Sequence, residues 1–485
     1  MIEQLRKIDK IYDLLALCSS YILNMYSQTP YEFALFDDDE FDCVYDAVER
    51  YCCECQDKGH RKAFEELKEY IISFMVPEAT IEKCFAVVRY IDELVEVEIN
   101  SGLLGGNKII KYSSINGQYK DCVRIIPKMK GTFLDRGDLE FKSLSNNKYS
   151  LFRDRRECEC SSLDKETLNY MIWDKEHLEK YPMWVYRLDE KNPIAKQFYE
   201  REQITFGIVP FTNKKLDDIL DIKYKRRGFY IEQMCEEAEE ELKDRYENIC
   251  SRCENEDIDF LVFPEMLMTE KIISSIKGRN QKQSPRIIIN GSIWKDFMNE
   301  AIVTDGRGEK IFSYLKKEPF KFSREDKEYR ECLNRSKNGE YSIVEIEGIG
   351  RIGVAICKDL ISEEVKLFHK CVGTDILIVP AYTKSMDLQA SAEELSQEYN
   401  CVVVVANACS ALEETKKEIS NRRIGFVTLP AKRDTDRSRI VLMYTQNDCT
   451  RECECKCVGK KVVINFYKTE EYTDGISYEV KEETF

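Results

Sequence analysis

Three side chains stand out by type and by where the sequence puts them. Glu265 closes the run Asp259-Phe260-Leu261-Val262-Phe263-Pro264, and Lys316 follows Ile311-Phe312-Ser313-Tyr314-Leu315. Cys357 follows Arg351-Ile352-Gly353-Val354-Ala355-Ile356 and precedes a polar stretch (Lys358, Asp359, Ser362, Glu363, Glu364) suited to open a helix. Each apolar run reads as a strand, and α/β folds carry their reactive groups at strand ends. A cysteine on a strand-to-helix turn is presented beside helical N–H dipoles, which favour a thiolate and an oxyanion alike. The N–H groups that follow it can bind a tetrahedral oxyanion. The chain has only three histidines, His60, His177 and His369. A nucleophile here therefore takes its base from another residue type.

The elements that must hold these groups are legible around them. From Ile204 onward, apolar β-rich runs alternate with amphipathic or polar stretches: ITFGIVPF, DFLVFPE, RIIING, RIGVAICKDL, DILIVPA and CVVVVANAC. Nearly continuous apolar runs suit strands buried on both faces of a layered α/β domain. Between the first two strands, Phe229 to Cys253 predicts a helix, with Ile231, Met234, Cys235, Ala238, Leu242, Tyr246 and Ile249 as its apolar stripe. The first hundred residues show helical spacing instead, as in Val44, Ala47, Val48 and Tyr51 or Cys84, Phe85, Val88 and Ile91. Residues 101–202 are mixed, with short strand-like runs at Lys108 to Tyr112 and Cys122 to Ile126. These textures divide the chain into a helical region 1–100, a mixed α/β accessory region 101–202 and a catalytic domain 203–485.

Taken together, the motifs resemble a known family. The string FPE (Phe263 to Glu265), then Tyr314 and Lys316 with Pro319 beyond, then Cys357 and Asp359 resembles the nitrilase superfamily of carbon–nitrogen hydrolases. Asn299-Glu300-Ala301 with Asp305-Gly306-Arg307-Gly308 is similar to that family's hairpin before the lysine. Gly373 to Ala381 and Ala406-Asn407 are similar to its later strands. The resemblance spans roughly residues 203–470 and leaves the N-terminal part unrecognised. It implies an αββα sandwich, with Cys357 as nucleophile, Glu265 as general base and Lys316 with the Lys358 N–H as oxyanion stabilisers. A second glutamate that positions substrate falls nearest to Glu325 by spacing, with Glu328 close behind. The implied chemistry is hydrolysis of a small amide, less readily a nitrile, through a thioester. It calls for no cofactor and no metal. It also implies a homodimer or a larger homo-oligomer. The strand Gly425 to Pro430 lacks the family's usual glycine-rich turn after it, so substrate identity does not carry over.

Two other functions compete with hydrolysis. One is an interaction or ligand-sensing module built on the same domain with little turnover, and the other is acyl transfer from the thioester to an amine. The intact Glu, Lys and Cys set favours catalysis over the scaffold.

Bulk properties set outer limits. A formal charge of −16 over 485 residues argues against broad nucleic-acid or anionic-membrane binding. The basic run Lys223 to Arg227 reads as a solvated turn. No run approaches the ~18 apolar residues of a membrane span, and the charged start MIEQLRKIDKIYDLL has no secretory h-region. The expected location is the cytoplasm. The 21 cysteines then stay largely reduced, with Cys18, Cys84, Cys122 and Cys401 read as small buried hydrophobes. The tracts Cys52, Cys53, Cys55 with His60, and Cys449, Cys453, Cys455, Cys457, lack the paired spacing of zinc sites and read as reduced surface thiols.

Overall fold

The computed structural model describes residues 1–8, 11–26, 41–94, 108–111, 123–127, 170–174, 183–188, 192–198, 203–278, 284–324, 327–334, 340–346, 349–383, 387–399, 401–411, 423–430, 439–444, 459–466 and 478–485. The described residues divide into two compact units, one up to Met183 and one over Trp184–Phe485.

The first unit carries helices α1 (Ile2–Leu5), α2 (Ile11–Tyr26), α3 (Asp42–Lys58), α4 (His60–Phe74) and α5 (Ile81–Leu94). Their apolar positions recur every three to four residues, so each helix turns one stripe inward. Leu15, Cys18, Val44, Val48, Phe64, Leu67, Ile71, Cys84, Phe85 and Val88 share one buried cluster. Edge-to-face ring pairs, such as Tyr45 with Tyr90 and Tyr51 with Phe64, tie α3 to α5 and to α4. Strands β1 (Lys108–Lys111), β2 (Val123–Pro127) and β3 (Tyr170–Asp174) follow, with β2 and β3 antiparallel. Of the first cysteine tract, Cys53 is exposed while Cys52 and Cys55 are half-buried on α3. The tract from Cys449 to Cys457 and residue Cys122 lie outside the described residues.

The second unit runs through β4 (Met183–Leu188), α6 (Pro193–Lys196), β5 (Gln203–Ile208), α7 (Leu216–Ile219), β6 (Leu220–Lys225), β7 (Gly228–Met234) and α8 (Glu236–Cys253). Next come β8 (Phe260–Val262), α9 (Glu270–Ser274), β9 (Ile287–Ile289), β10 (Ile293–Lys295), β11 (Met298–Asp305) and β12 (Lys310–Leu315). They are followed by β13 (Lys321–Arg324), β14 (Lys327–Glu331), β15 (Tyr341–Ile346), β16 (Gly350–Val354) and a one-turn 3-10 helix, Cys357–Ile361. The chain then forms α10 (Glu363–Cys371), β17 (Ile376–Ala381), α11 (Asp387–Tyr399), β18 (Val402–Asn407), β19 (Arg423–Leu429), β20 (Arg439–Tyr444), β21 (Lys460–Phe466) and β22 (Tyr478–Thr484).

Two large sheets result. One runs β4-β15-β16-β17-β18-β19-β20, and the other runs β10-β11-β9-β8-β5-β21-β22 with β12 paired to β11. Each has a parallel centre, β16-β17-β18 in one and β5-β8-β9 in the other. Parallel neighbours need crossovers, which α10 and α11 supply to the first sheet and α8 and α9 to the second. All six residues of β17 and of β18 are buried, as strands covered on both faces require. Each fully buried Val, Leu or Ile there contributes roughly 1.5–3 kcal/mol.

The sheets stack closely. A side chain at Gly425 of one sheet would come within 3.0 Å of Ile208 of the other. Helix α11 is fastened outside by Ser396 to Thr428 at 2.6 Å, and α8 on the opposite side by Tyr246 to Asn290 at 2.6 Å. The unit is thus the expected αββα sandwich.

One expected element is different. Phe229–Met234 is not the start of a helix but strand β7, paired with β6 across the exposed turn Arg226-Arg227. Buried Phe229 and Ile231 alternate with Tyr230 and Glu232, a period of two that the longer helical stripe concealed. The helix begins only at Glu236, after Cys235. With β13 and β14, β6 and β7 form a small third sheet, in which β14 lies parallel to β7.

Candidate active site

The three residues singled out above come from three different strands and meet at one point. Glu265 lies just past β8, where Met266 takes φ 68° and turns the chain. Its N–H donates to the Ala381 carbonyl at the end of β17, a bond of 3.3 Å between the two large sheets. Ser292 Oγ accepts the Met266 N–H at 2.9 Å and holds the same turn from the other side. Gly291 packs against this turn at φ 57°, and a Cβ there would collide with the carbonyl of Pro264. Glycine is the residue that permits so close an approach.

Lys316 follows β12, with its N–H bonded to the Asn299 carbonyl at 2.9 Å. The β11–β12 hairpin carries it there, and Asp305 Oδ1 closes the turn by accepting from the N–H groups of Arg307 and Glu309, both at 2.9 Å. Lys316 Nζ donates to Glu265 Oε1 at 2.5 Å and to Glu331 Oε2 at 2.7 Å. Asn299 Nδ2 donates to Glu265 Oε1 and to Glu331 Oε1, each at 3.0 Å, and closes the ring of four side chains. All four are buried, Lys316 completely.

Cys357 opens the 3-10 turn after β16 with φ 49°. A cysteine in the left-handed region is strained, and such strain concentrates at functional sites. Its thiol lies beside the Glu265 carboxylate and the backbone N–H of Tyr382. Tyr382 is itself held in place. Thr383 N–H donates to Asn407 Oδ1 and Asn407 Nδ2 returns a bond to the Thr383 carbonyl, both at 3.0 Å. Lys358, half-buried, is the next residue, so its N–H lies beside the nucleophile on the same turn.

Burial dominates the electrostatics, and the neighbours decide its direction. Burial works against the Lys316 charge, but the carboxylates of Glu265 and Glu331 outweigh it and hold the ammonium protonated above the usual lysine range. Burial raises the Glu265 carboxyl, with Lys316 opposing and Glu331 adding to the rise. Burial and then Glu265 push the Cys357 thiol up, against Lys316 and the Tyr382 N–H. At neutral pH the cysteine therefore rests as a thiol. Beside it stands a carboxyl group whose affinity for protons is raised. Neighbouring Lys317 is pulled down to about 8 by burial, and its ammonium sits 4.3 Å from the Tyr341 ring centroid, turned to a different set of partners.

Glu331 is the participant that the sequence did not disclose. It ends β14, a strand of mostly exposed polar residues, and is buried there, accepting from the Phe320 N–H at 2.7 Å as well as from Lys316. The string Lys327-Glu328-Tyr329-Arg330-Glu331 has no apolar alternation to mark its last residue as inward. Glu328 is exposed and pairs with Lys321. Glu325 lies outside the described residues. Among the described residues no group of three or more His, Cys, Asp or Glu side chains is arranged to hold a metal ion, and no helix is long and apolar enough to cross a membrane.

No family model and no curated protein matches this chain. Solved structures are similar to it. The NitFhit protein of C. elegans is 15% identical, over 50% of this chain and 61% of its own, with a TM-score of 0.32. Nit3 of Saccharomyces cerevisiae, a member of branch 10 of the nitrilase superfamily, is 14% identical over 50% of this chain and 89% of its own, with a TM-score of 0.32. An amidase of Nesterenkonia AN1 from the nitrilase superfamily is 12% identical over 51% of this chain and 93% of its own, with a TM-score of 0.30. These are likenesses of fold. What the site can do rests on its own geometry.

Proposed function

We propose that the second unit is a carbon–nitrogen hydrolase that cleaves a small amide through a cysteine thioester. One observation carries this reading: Glu265 accepts from the Lys316 ammonium and lies beside the Cys357 thiol, the nucleophile, base and cation that attack on an amide carbon requires. In the first half-reaction the Cys357 sulfur bonds to the amide carbon while its proton passes to Glu265. Lys316 and the Lys358 N–H stabilise the oxyanion that forms. The C–N bond then breaks, Glu265 returns the proton to the leaving nitrogen, and ammonia or an amine departs. In the second half, Glu265 takes a proton from water as its oxygen bonds to the thioester carbon, and the acid leaves with the thiol restored. Glu331 and Asn299 hold Lys316 and Glu265 in register throughout. We place the activity in the cytoplasm and in a homodimer or larger homo-oligomer, on the sequence grounds given above.

The direct test is ammonia release from a panel of small aliphatic and aromatic amides, with Cys357→Ala as the blank. Turnover of at least one amide, together with an acyl adduct on Cys357 by intact mass, is the expected result. A panel on which the wild type never exceeds the Cys357→Ala blank, with Cys357 alkylated by iodoacetamide no faster than Cys53, would leave the ligand-sensing module as the better account. Light scattering that gives a monomer at micromolar concentration would remove the oligomer.

A further inference from the structure

Two of the catalytic groups arrive on loops that share no strand. Lys316 is followed by Lys317 and Glu318 after β12, and Cys357 is preceded by Ile356 after β16. The two strands belong to different large sheets. A rigid relation between ammonium and sulfur therefore needs something that grips both loops.

Asp359 does so. It is completely buried. Its Oδ1 accepts the backbone N–H of Lys317 at 3.0 Å and of Glu318 at 2.7 Å, and its Oδ2 accepts the N–H of Ile356 at 3.1 Å. One carboxylate thus ties the two residues after the catalytic lysine to the residue before the nucleophile. We propose that Asp359 is a positioning residue for catalysis, the clamp that sets the distance between Lys316 and Cys357 across the two sheets.

A clamp has a signature that distinguishes it from a charge acting at a distance. If Asp359 acted only through its charge, its removal would leave the thiol beside fewer anions, easier to ionise and faster to alkylate. If it sets the position of Lys316, its loss draws the cation away from the sulfur. The thiol then becomes harder to ionise, because Lys316 is among the groups that hold its pKa down. The two roles predict opposite signs.

The test needs no substrate, and it rests on the hydrolase reading only through Glu265. Full-length protein is treated with limiting iodoacetamide, and alkylation of each cysteine is followed by peptide mass mapping over pH 6–10. The reaction forms an S–CH2 bond, breaks C–I with loss of iodide, and passes the thiol proton to Glu265. Asp359→Asn keeps an acceptor for the Lys317 and Glu318 N–H groups but puts an NH2 group, or nothing, against the Ile356 N–H. Asp359→Ser removes the reach to both loops. We expect Cys357 alkylation to slow by about 10- to 100-fold, as displacements near 1 Å commonly cost, and its pH profile to move to higher pH. Exposed Cys53 serves as the internal rate reference, and buried Cys250 and Cys253 report unfolding, with the rate taken from whichever variant keeps them protected. Equal or faster alkylation of Cys357 in a folded variant overturns the clamp if Glu265→Gln still slows it. If Glu265→Gln has no effect either, the hydrolase reading falls and the clamp falls with it.

Discussion

Strand β8 carries a buried carboxylate at each end, and the two ends have opposite characters. At its amino end Asp259 accepts from Arg286 Nη1 at 2.7 Å and from the Thr205 N–H at 2.7 Å, while Arg286 Nη2 reaches out to half-exposed Asp257 at 3.0 Å. The buried part of that group is one anion with one cation. At the carboxyl end Glu265 and Glu331 share the single cation of Lys316 and face a neutral thiol. The buried part there holds two carboxylates to one ammonium. A balanced pair has no use for another proton, whereas an excess of negative charge in a dry site is relieved by accepting one. The same strand thus ends in a matched ion pair and in a pair of carboxylates with one ammonium, and that excess of negative charge is what the proposed base at Glu265 draws on.

The largest effect is expected at Glu265. Glu265→Gln should slow Cys357 alkylation and any amide turnover by about 10³-fold, as loss of a general base does, and leave the melting temperature nearly unchanged. A variant within fivefold of wild type in iodoacetamide kinetics would show that the carboxyl end is structural too. At the other end, Asp259→Ala strands Arg286, and chemical denaturation should show a loss of ~3 kcal/mol or more. The Cys357 alkylation rate per folded molecule should stay within twofold. If that rate falls with stability, the two ends are not independent.

A smaller effect concerns pH. Burial pulls the His369 imidazole down to about 3, from an ordinary value of 6.5. A depressed folded pKa means that the neutral ring contributes stability above pH 6.5, and that this is lost as the pH falls toward 3. Between pH 7 and pH 5 the loss should come to ~2 kcal/mol by linkage, read as the difference between wild type and His369→Gln in urea unfolding. Identical pH slopes would contradict the buried neutral ring, whose Nδ1 lies 3.0 Å from Thr374 Oγ1. Smallest is Asn407→Ala, which opens the two-bond link to Thr383. It loosens the Tyr382 backbone beside the sulfur and should slow alkylation by about tenfold, the worth of roughly one hydrogen bond to a charged group.

How far the site could be read from residues alone follows from where each signal lies. Glu265, Lys316 and Cys357 each end a run whose side chains are apolar on one or both faces, and strands of that kind write themselves into composition. The αββα layering was legible for the same reason, through runs such as Ile376 to Ala381 and Val402 to Asn407. Glu331 left no such trace. Its strand is polar on both faces, and only the third dimension shows that one of its glutamates turns inward onto Lys316. Strand β7 was lost differently: Ile231 and Met234 happen to continue the stripe of α8, so a helical period absorbed a strand of period two. Asn299 was visible as part of a hairpin, but nothing in the hairpin pattern says that its amide bridges two carboxylates 32 and 34 residues away in sequence.

Gly291 carries a consequence of another kind. The space between its Cα and the Pro264 carbonyl is too small for a methyl group, and Pro264 is the residue before Glu265. A protein that drifts over evolutionary time can exchange most of its surface, and much of its interior if volumes are kept. At this position it has no neighbouring step to take, since even alanine would push the Pro264 carbonyl and shift Glu265 with it. The glycine acts as a ratchet on the lineage: once the acid at 265 is in use, residue 291 can no longer change first.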